Sequence, residues 1–133
     1  MAEVTVVIPN YNGIGYLKDC LDTLREQTCK NYETVLVDNG STDGSLAFVK
    51  EHYPWVKILA LDRNYGFCHA VNAGIRAAES SYVFLLNNDT RLTPNALFWL
   101  RMGLYESENT GAAGAVSNYA ALLQYINLFY GSI

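Results

Sequence analysis

Four short apolar runs, each closed by polar turn residues and followed by apolar residues at helical spacing, limit what this chain can fold into. Residues 4–8 form a β-branched run that Pro9 is expected to stop, with Asn12 and Gly13 turning the chain. Leu17, Leu21 and Leu24 then recur one helical turn apart, with Lys18, Asp22, Arg25 and Glu26 between them. Residues 34–37 read as a second strand, "DNGSTDGS" as a loop, and Leu46, Val49 and Tyr53 as one face of a short helix. A third strand is expected over 56–61, a loop at "DRNYGF", a helix of small residues over 70–78 and a fourth strand over 82–86. Thr93 before Pro94 reads as a capping hydroxyl ahead of a first-turn proline, opening a helix that buries Leu97, Leu100 and Leu104.

Strands that alternate with helices imply right-handed crossovers and a mostly parallel sheet covered on both faces, a three-layer α/β/α domain. The length suits one domain: 133 residues, half of them apolar and 17% charged, leave no case for disorder. The formal charge is −4 and no cluster of Lys or Arg forms a stripe, which argues against nucleic acid or an anionic membrane as partner. Cys20, Cys29 and Cys68 are odd in number and widely spaced, so they are expected to be reduced, partly buried thiols. The first residues lack a basic segment followed by a long apolar one, and no window reaches the ~18 apolar residues of a spanning helix, so a cytoplasmic setting is expected.

In open parallel sheets, ligands bind beyond the carboxyl ends of the strands. The groups there are Pro9, Asn10, Tyr11 and Asn12 after the first strand and Asp38 and Asn39 after the second. Asp62, Arg63 and Asn64 follow the third, and Asn87, Asn88 and Asp89 the fourth. Polar residues at one strand end are ordinary turn chemistry, whereas four such sets on one edge point to a site. Asp89 is a hard oxygen donor for a divalent cation that keeps waters and also takes phosphate oxygens, since one carboxylate does not hold magnesium alone. Tyr11 can stack on a base and Asp38 can accept from an N–H on that base's edge. Arg63 and the helix N-terminus after Gly66 can meet phosphate. These groups together suit a nucleoside diphosphate with a metal. The plain alternatives are that Asp38 and Asp89 cap turns and that Tyr11 packs on the first helix.

Other nucleotide and catalytic signatures are missing. "NYNGIG" lacks the third glycine of a dinucleotide loop, no G-x-x-x-x-G-K-[ST] occurs, and no G-x-S-x-G elbow presents a serine. His52 and His69 have no Cys or Asp at ligand spacing and are read as non-ligands. A flavodoxin-like or receiver-like domain stays open at this stage, although a receiver calls for paired acids where this chain has Pro9, Asn10 and Tyr11.

"VVIPNYNG", "VLVDNGSTDGS", "NYGFCHAVNAGI" and "FLLNNDT", in that order, resemble the nucleotide-binding half of the family 2 glycosyltransferases, which have the GT-A fold. The resemblance runs from residue 4 to about 116 and implies a half-domain over 1–116, with 117–133 as an apolar segment of the same domain or an association surface. It implies that Pro9 and Tyr11 surround the base, with Asn12 beside them among the nucleotide-sugar-binding residues, that Asp38 meets a uracil or thymine edge, and that Arg63, Asn64 and Gly66 line the nucleotide and diphosphate region. "NND" stands where the family has its D-x-D-like signature. Asn87 would then face the sugar or ribose, Asn88 would complete the motif, and Asp89 would bind Mg2+ or Mn2+. The NND form is similar to rhamnosyl and related transferases, so the implied donor is a UDP- or dTDP-sugar. Inverting transfer to a glycan or lipid-linked acceptor is implied for a full-length form, in cell-surface polysaccharide synthesis at the inner face of a membrane.

The catalytic base is not identifiable in this chain. The resemblance implies an Asp or Glu on a later segment, yet no acid follows Glu108, and Glu106 and Glu108 read as solvent-facing. The chain also stops about half-way through what the family needs, and is read as a truncated or naturally short form. Residues 111–116 fit a fifth strand. Residues 120–130 are nearly all apolar and must find cover, either on this domain or on a second copy of the chain.

Overall fold

The computed structural model describes residues 2–115. Eight elements alternate along them: β1 (Val4–Asn10), α1 (Ile14–Arg25), β2 (Tyr32–Asp38), α2 (Ser45–His52), β3 (Lys57–Ala60), α3 (Phe67–Ala77), β4 (Tyr82–Leu85) and α4 (Ala96–Leu104). The strands form one sheet in the order β3-β2-β1-β4, and every pairing is parallel. The period of two along β1 and β2 feeds two cores. Val6, Ile8 and Leu36 face α1 and α2 through Leu17, Leu21, Leu24 and Val49, while Val7, Val35 and Val37 face α3 through Ala70. α3 lies close on its face because Gly74 is bare: a β-carbon there would overlap Val7 Cγ1.

Several boundaries differ from the sequence expectation. β1 continues through Pro9 to Asn10, and Pro9 pairs with Val37. Along a parallel strand, alternate residues bond to alternate neighbours, and the Val7 carbonyl faces β4 while that of Asn10 faces β2. The nitrogen of Pro9 therefore points to the β4 side, where pairing has already ended with Leu86 N–H to Val7. No ladder bond is lost there. α3 begins at Phe67 rather than at residue 70, which brings its first turn up to the sheet edge, and β3 is shorter than expected at Lys57–Ala60.

The opening of α4 differs as well. Its N-cap is Asn95, and the hydroxyl of Thr93 makes no cap; instead the Thr93 carbonyl accepts the Ala96 N–H. The first turn is satisfied from a distance by Gln27, just beyond α1. Gln27 is fully buried, its Oε1 accepts the Leu97 N–H at 3.0 Å, and its Nε2 donates to the carbonyls of Thr93 at 2.7 Å and Thr23 at 3.1 Å. One amide thus joins the end of α1 to the start of α4.

Residues 111–115 are not a strand; they run as exposed coil, with Ala113 beside Gly103 of α4. Gly111, Gly114 and three alanines offer little side chain to pack on a pleated surface, which removes the drive to extend the sheet there. Val116 and the apolar segment 117–133 lie outside the described residues.

Gln27→Leu keeps the volume but leaves the Leu97 N–H and the Thr23 carbonyl buried without that partner. It is expected to cost about 2–3 kcal/mol, read as a lower urea midpoint at unchanged slope. A loss below ~0.5 kcal/mol would mean that water reaches the α1–α4 junction.

Candidate functional site

The sheet runs outward from β1 through β2 to β3 and then returns to the other side of β1 for β4, so the strand order reverses between β1 and β4. Beyond their carboxyl ends the two strands part, because β4 stops at Leu85 while β1 goes on to Asn10. A crevice at such a reversal is where open α/β sheets bind ligands. Here it is a cleft of about 390 Å³, within the range of ligand pockets. Pro9, Asn10 and Tyr11 line it from β1, Asn87, Asn88 and Asp89 from the loop after β4, and Asn39, Asn64, Gly66, Phe67 and Ala70 from the β2 and α3 side.

Of the residues expected from the sequence, Pro9, Tyr11, Asn64, Gly66, Asn87, Asn88 and Asp89 meet in this cleft. Tyr11 is half exposed, so its ring is available to a ligand rather than packed away on α1. Three others do not line it. Arg63 lies outside, its guanidinium 4.8 Å above the Tyr65 ring. Asn12, at φ 50, stitches loops together: its N–H donates to Ser41 Oγ and its Oδ1 accepts the Thr42 N–H. Asp38 is 2% exposed, and its oxygens accept from Asn10 Nδ2 at 3.0 Å and from the Ser41 N–H at 3.1 Å. The sequence reading assigned no ligand role to Asn10, Asn39, Phe67 or Ala70, although Asn10 and Asn39 stand at the expected strand ends.

Two sets of side-chain hydrogen bonds run beneath the cleft. Asn88 Nδ2 donates to Asn10 Oδ1 at 2.8 Å, and Asn10 Nδ2 donates to Asp38 Oδ1 and, at 3.2 Å, to Ser41 Oγ. Asn39, whose backbone N–H donates to the Asn10 carbonyl, forms the second set toward α3, donating to Asn64 Oδ1 and to the Gly66 carbonyl and accepting the Tyr65 N–H. Asp43 anchors the same loop to α1: its Oδ2 accepts the Ile14 N–H at 2.9 Å and its Oδ1 accepts from Ser45. Burial pushes the Asp43 carboxyl up, but the bonds from Ser45 and Ile14 outweigh it and hold the group below the usual carboxylate range.

Two features set the electrostatics. α3 starts at Gly66 with φ 89 and ψ 163, a conformation that is nearly glycine's alone, and no side chain caps it. Its first-turn N–H groups and the positive end of its dipole are free for an anion. Opposite stands Asp89, the one carboxylate among the lining residues. Beneath it the buried Cys20 thiol donates to the Asn87 carbonyl at 3.6 Å, and burial together with the Asp89 charge pushes that thiol up to about 12.

Among the described residues no three His, Cys, Asp or Glu side chains come together as a metal cage. On the loop after β4 the donors are the Asp89 carboxylate and the amide oxygens of Asn87 and Asn88, too few to complete a shell unaided. That set fits a hard divalent cation that keeps waters and takes oxygens from a bound diphosphate. His52 and His69 lie elsewhere, His69 stacked on Tyr65 with centroids 4.7 Å apart and His52 Nδ1 3.0 Å from the Phe48 carbonyl. The three cysteines are free, Cys20 buried, Cys29 half-buried and Cys68 exposed.

Among solved structures, TarS 1–349 of S. aureus in complex with UDP superposes at a TM-score of 0.71 with 26% identity, covering 80% of this chain and 32% of that one. The mannosyltransferase PcManGT from Pyrobaculum calidifontis, in complex with GDP-Man and Mn2+, superposes at 0.66 with 30% identity, covering 74% and 32%. In sequence, the glycosyltransferase GlyA of Streptococcus pneumoniae is 33% identical over 130 residues, 96% of this chain. The chain spans only 18% of GlyA's length. Residues 5–121 match the family described as Glycosyl transferase family 2. With the parallel sheet, the cleft at its reversal and the sequence agreeing, this chain belongs to glycosyl transferase family 2.

Proposed function

We propose that the cleft binds a nucleoside-diphosphate sugar together with Mg2+ or Mn2+, and that the protein to which this half-domain belongs transfers the sugar with inversion. The observation that carries this reading is the pairing of Asp89 with the uncapped N-terminus of α3 across one cleft at the strand reversal. Support comes from the similar folds solved with UDP, and with GDP-Man and Mn2+. Tyr11 offers its exposed ring to the base. Asp38 uses one acceptor position on each oxygen and keeps capacity for an imide N–H of uracil or thymine once a base lies against the 38–43 loop. Asn64 and Gly66 set the first turn of α3, which meets the diphosphate, Arg63 borders it from outside, and Asn12 holds the base-side loop. Asn87 faces the sugar or ribose, and Asn88 holds the loop to β1. The NND form favours a dTDP- or UDP-sugar of the rhamnosyl type. A cation held by Asp89 would offset the charge that develops on the departing diphosphate.

A second reading is a nucleotide-sugar-binding module without transfer by this chain alone. One observation favours it: Glu106 lines a separate cavity with Trp99 and Met102, and Asp89, assigned to the cation, is the only carboxylate lining the cleft. None of the cleft residues is therefore left to act as the base. Acceptor-dependent formation of a glycoside separates the two, whereas slow donor hydrolysis fits both.

Isothermal titration of UDP and dTDP, with and without Mn2+, tests the site itself. Micromolar affinity that requires the metal is expected, and equal affinity with the metal chelated would remove Asp89 from its assigned role. Asp89→Ala should abolish the Mn2+ requirement and weaken UDP at least tenfold while leaving the melting temperature within a few degrees, because the side chain is exposed. Asp38→Asn should weaken UDP more than inorganic pyrophosphate, each measured with Mn2+. Equal weakening of both would show that Asp38 does not read the base.

A further inference from the structure

Asn10 is 2% exposed at the end of β1, and both ends of its amide are already engaged. Its Oδ1 receives Asn88, from the loop that carries Asp89, and its Nδ2 gives to Asp38 and Ser41, from the loop on the base side. Past the Leu86 N–H to Val7 bond, strand pairing no longer holds the loop after β4 to β1, and the Asn88–Asn10 bond takes over. The donors all run one way, from Asn88 through Asn10 to the Asp38 carboxylate, so the last step is a hydrogen bond to a buried charge. Gly13 supplies an independent sign that this bond shapes the site. It is buried, and a β-carbon on it would overlap Asn88 Nδ2 and Asn10 Oδ1, the two atoms that make the bond.

We infer that Asn10 is a positioning residue that sets the separation of the metal-side wall, through Asn88, and the base-side wall, through Asp38, so that one ligand spans both. The inference rests on the reading of the cleft as a nucleoside-diphosphate site. Both polar atoms of the Asn10 side chain are bonded within the protein, and it acts through its two neighbours.

The test is a double-mutant cycle by titration calorimetry on the full chain, using Mn2+ with UDP and Mn2+ with inorganic pyrophosphate as separate probes. Asn10→Ala should weaken both probes by about tenfold, the low end of what loss of a supporting hydrogen bond costs a site. In an Asn88→Ala background, Asn10→Ala should weaken pyrophosphate no further but still weaken UDP, because only the Asp38 arm remains for it to disturb. A merely structural role predicts multiplying losses for both probes, and that result would overturn the inference. Gly13→Ala displaces the same bond without removing a polar group, and so covers the case in which Asn10→Ala does not fold. It should bring Mn2+-pyrophosphate affinity down to the Asn88→Ala level, and unchanged affinity would again overturn the inference. If the unsubstituted chain binds neither probe, the reading of the site fails and the inference with it. That outcome is distinct from normal binding by the unsubstituted chain alongside silent variants, which removes Asn10 alone.

Discussion

The structure depends on unequal strand lengths at one point in the sheet. β1 pairs with β2 through Asn10 but with β4 only through Val7, so the two central strands separate at their carboxyl ends and open the cleft. Pro9 suits this geometry, since it has no N–H to offer on the side where β4 has ended and keeps its carbonyl and its extended φ. A residue that continued the ladder there would favour closure of the gap. The cleft is therefore a consequence of where pairing stops, and the loops that line it need holding by something other than the backbone.

Side-chain amides do that holding. Asn10, Asn39, Asn64 and Asn88 each bridge two segments, and Asp38 and Asp43 terminate the bonds as charges that accept from backbone N–H groups. An amide offers donors and an acceptor on one short, rigid side chain, so it can satisfy two loops at once without bringing a net charge into a nearly buried place. That answers why the apolar run "FLLNNDT" ends in two amides before its acid. Asn88 fastens the loop to β1, and Asn87 and Asp89 are left exposed on it. The same logic explains why Gly13 stands between them, where any side chain would displace the fastening.

The sequence made the layers and the cleft legible, because periodicity reports burial and turn residues report strand ends. The four strands and four helices of the described residues overlap the runs that apolar spacing marked, the expected fifth strand does not form, and seven of the ten residues expected at the site line one cleft. What remained hidden was set by contacts between distant segments. Pro9 reads as a strand stop unless the neighbour's end is known, and Thr93 reads as a cap unless the buried Gln27, 66 residues earlier, is known to serve α4. Asp38 looks like a free acceptor in "VDNGS", but its distance from the surface depends on Asn10 across the β1–β2 pair. Residues 111–116 read as a fifth strand, yet 111–115 carry too little side chain to offset the entropy of extension without a partner. Local pattern therefore yields elements and strand ends, whereas roles that depend on a second segment need the fold.

The charges in the cleft also constrain how a ligand can enter. Asp89 is the only lining carboxylate, and its charge adds to the effect of burial in pushing the Cys20 thiol up. A diphosphate arriving alone gains from the first turn of α3 but is repelled from the Asp89 side. A cation arriving alone beside the loop after β4 meets the Asp89 carboxylate and the amides of Asn87 and Asn88, too few oxygens to replace its water. Together the two cancel each other's cost, since the diphosphate completes the cation's shell and the cation removes the repulsion at Asp89. Under the proposed reading of the cleft, metal and diphosphate would therefore bind jointly, and a single acid facing an uncapped helix would draw its selectivity for a charged pair from that mutual dependence.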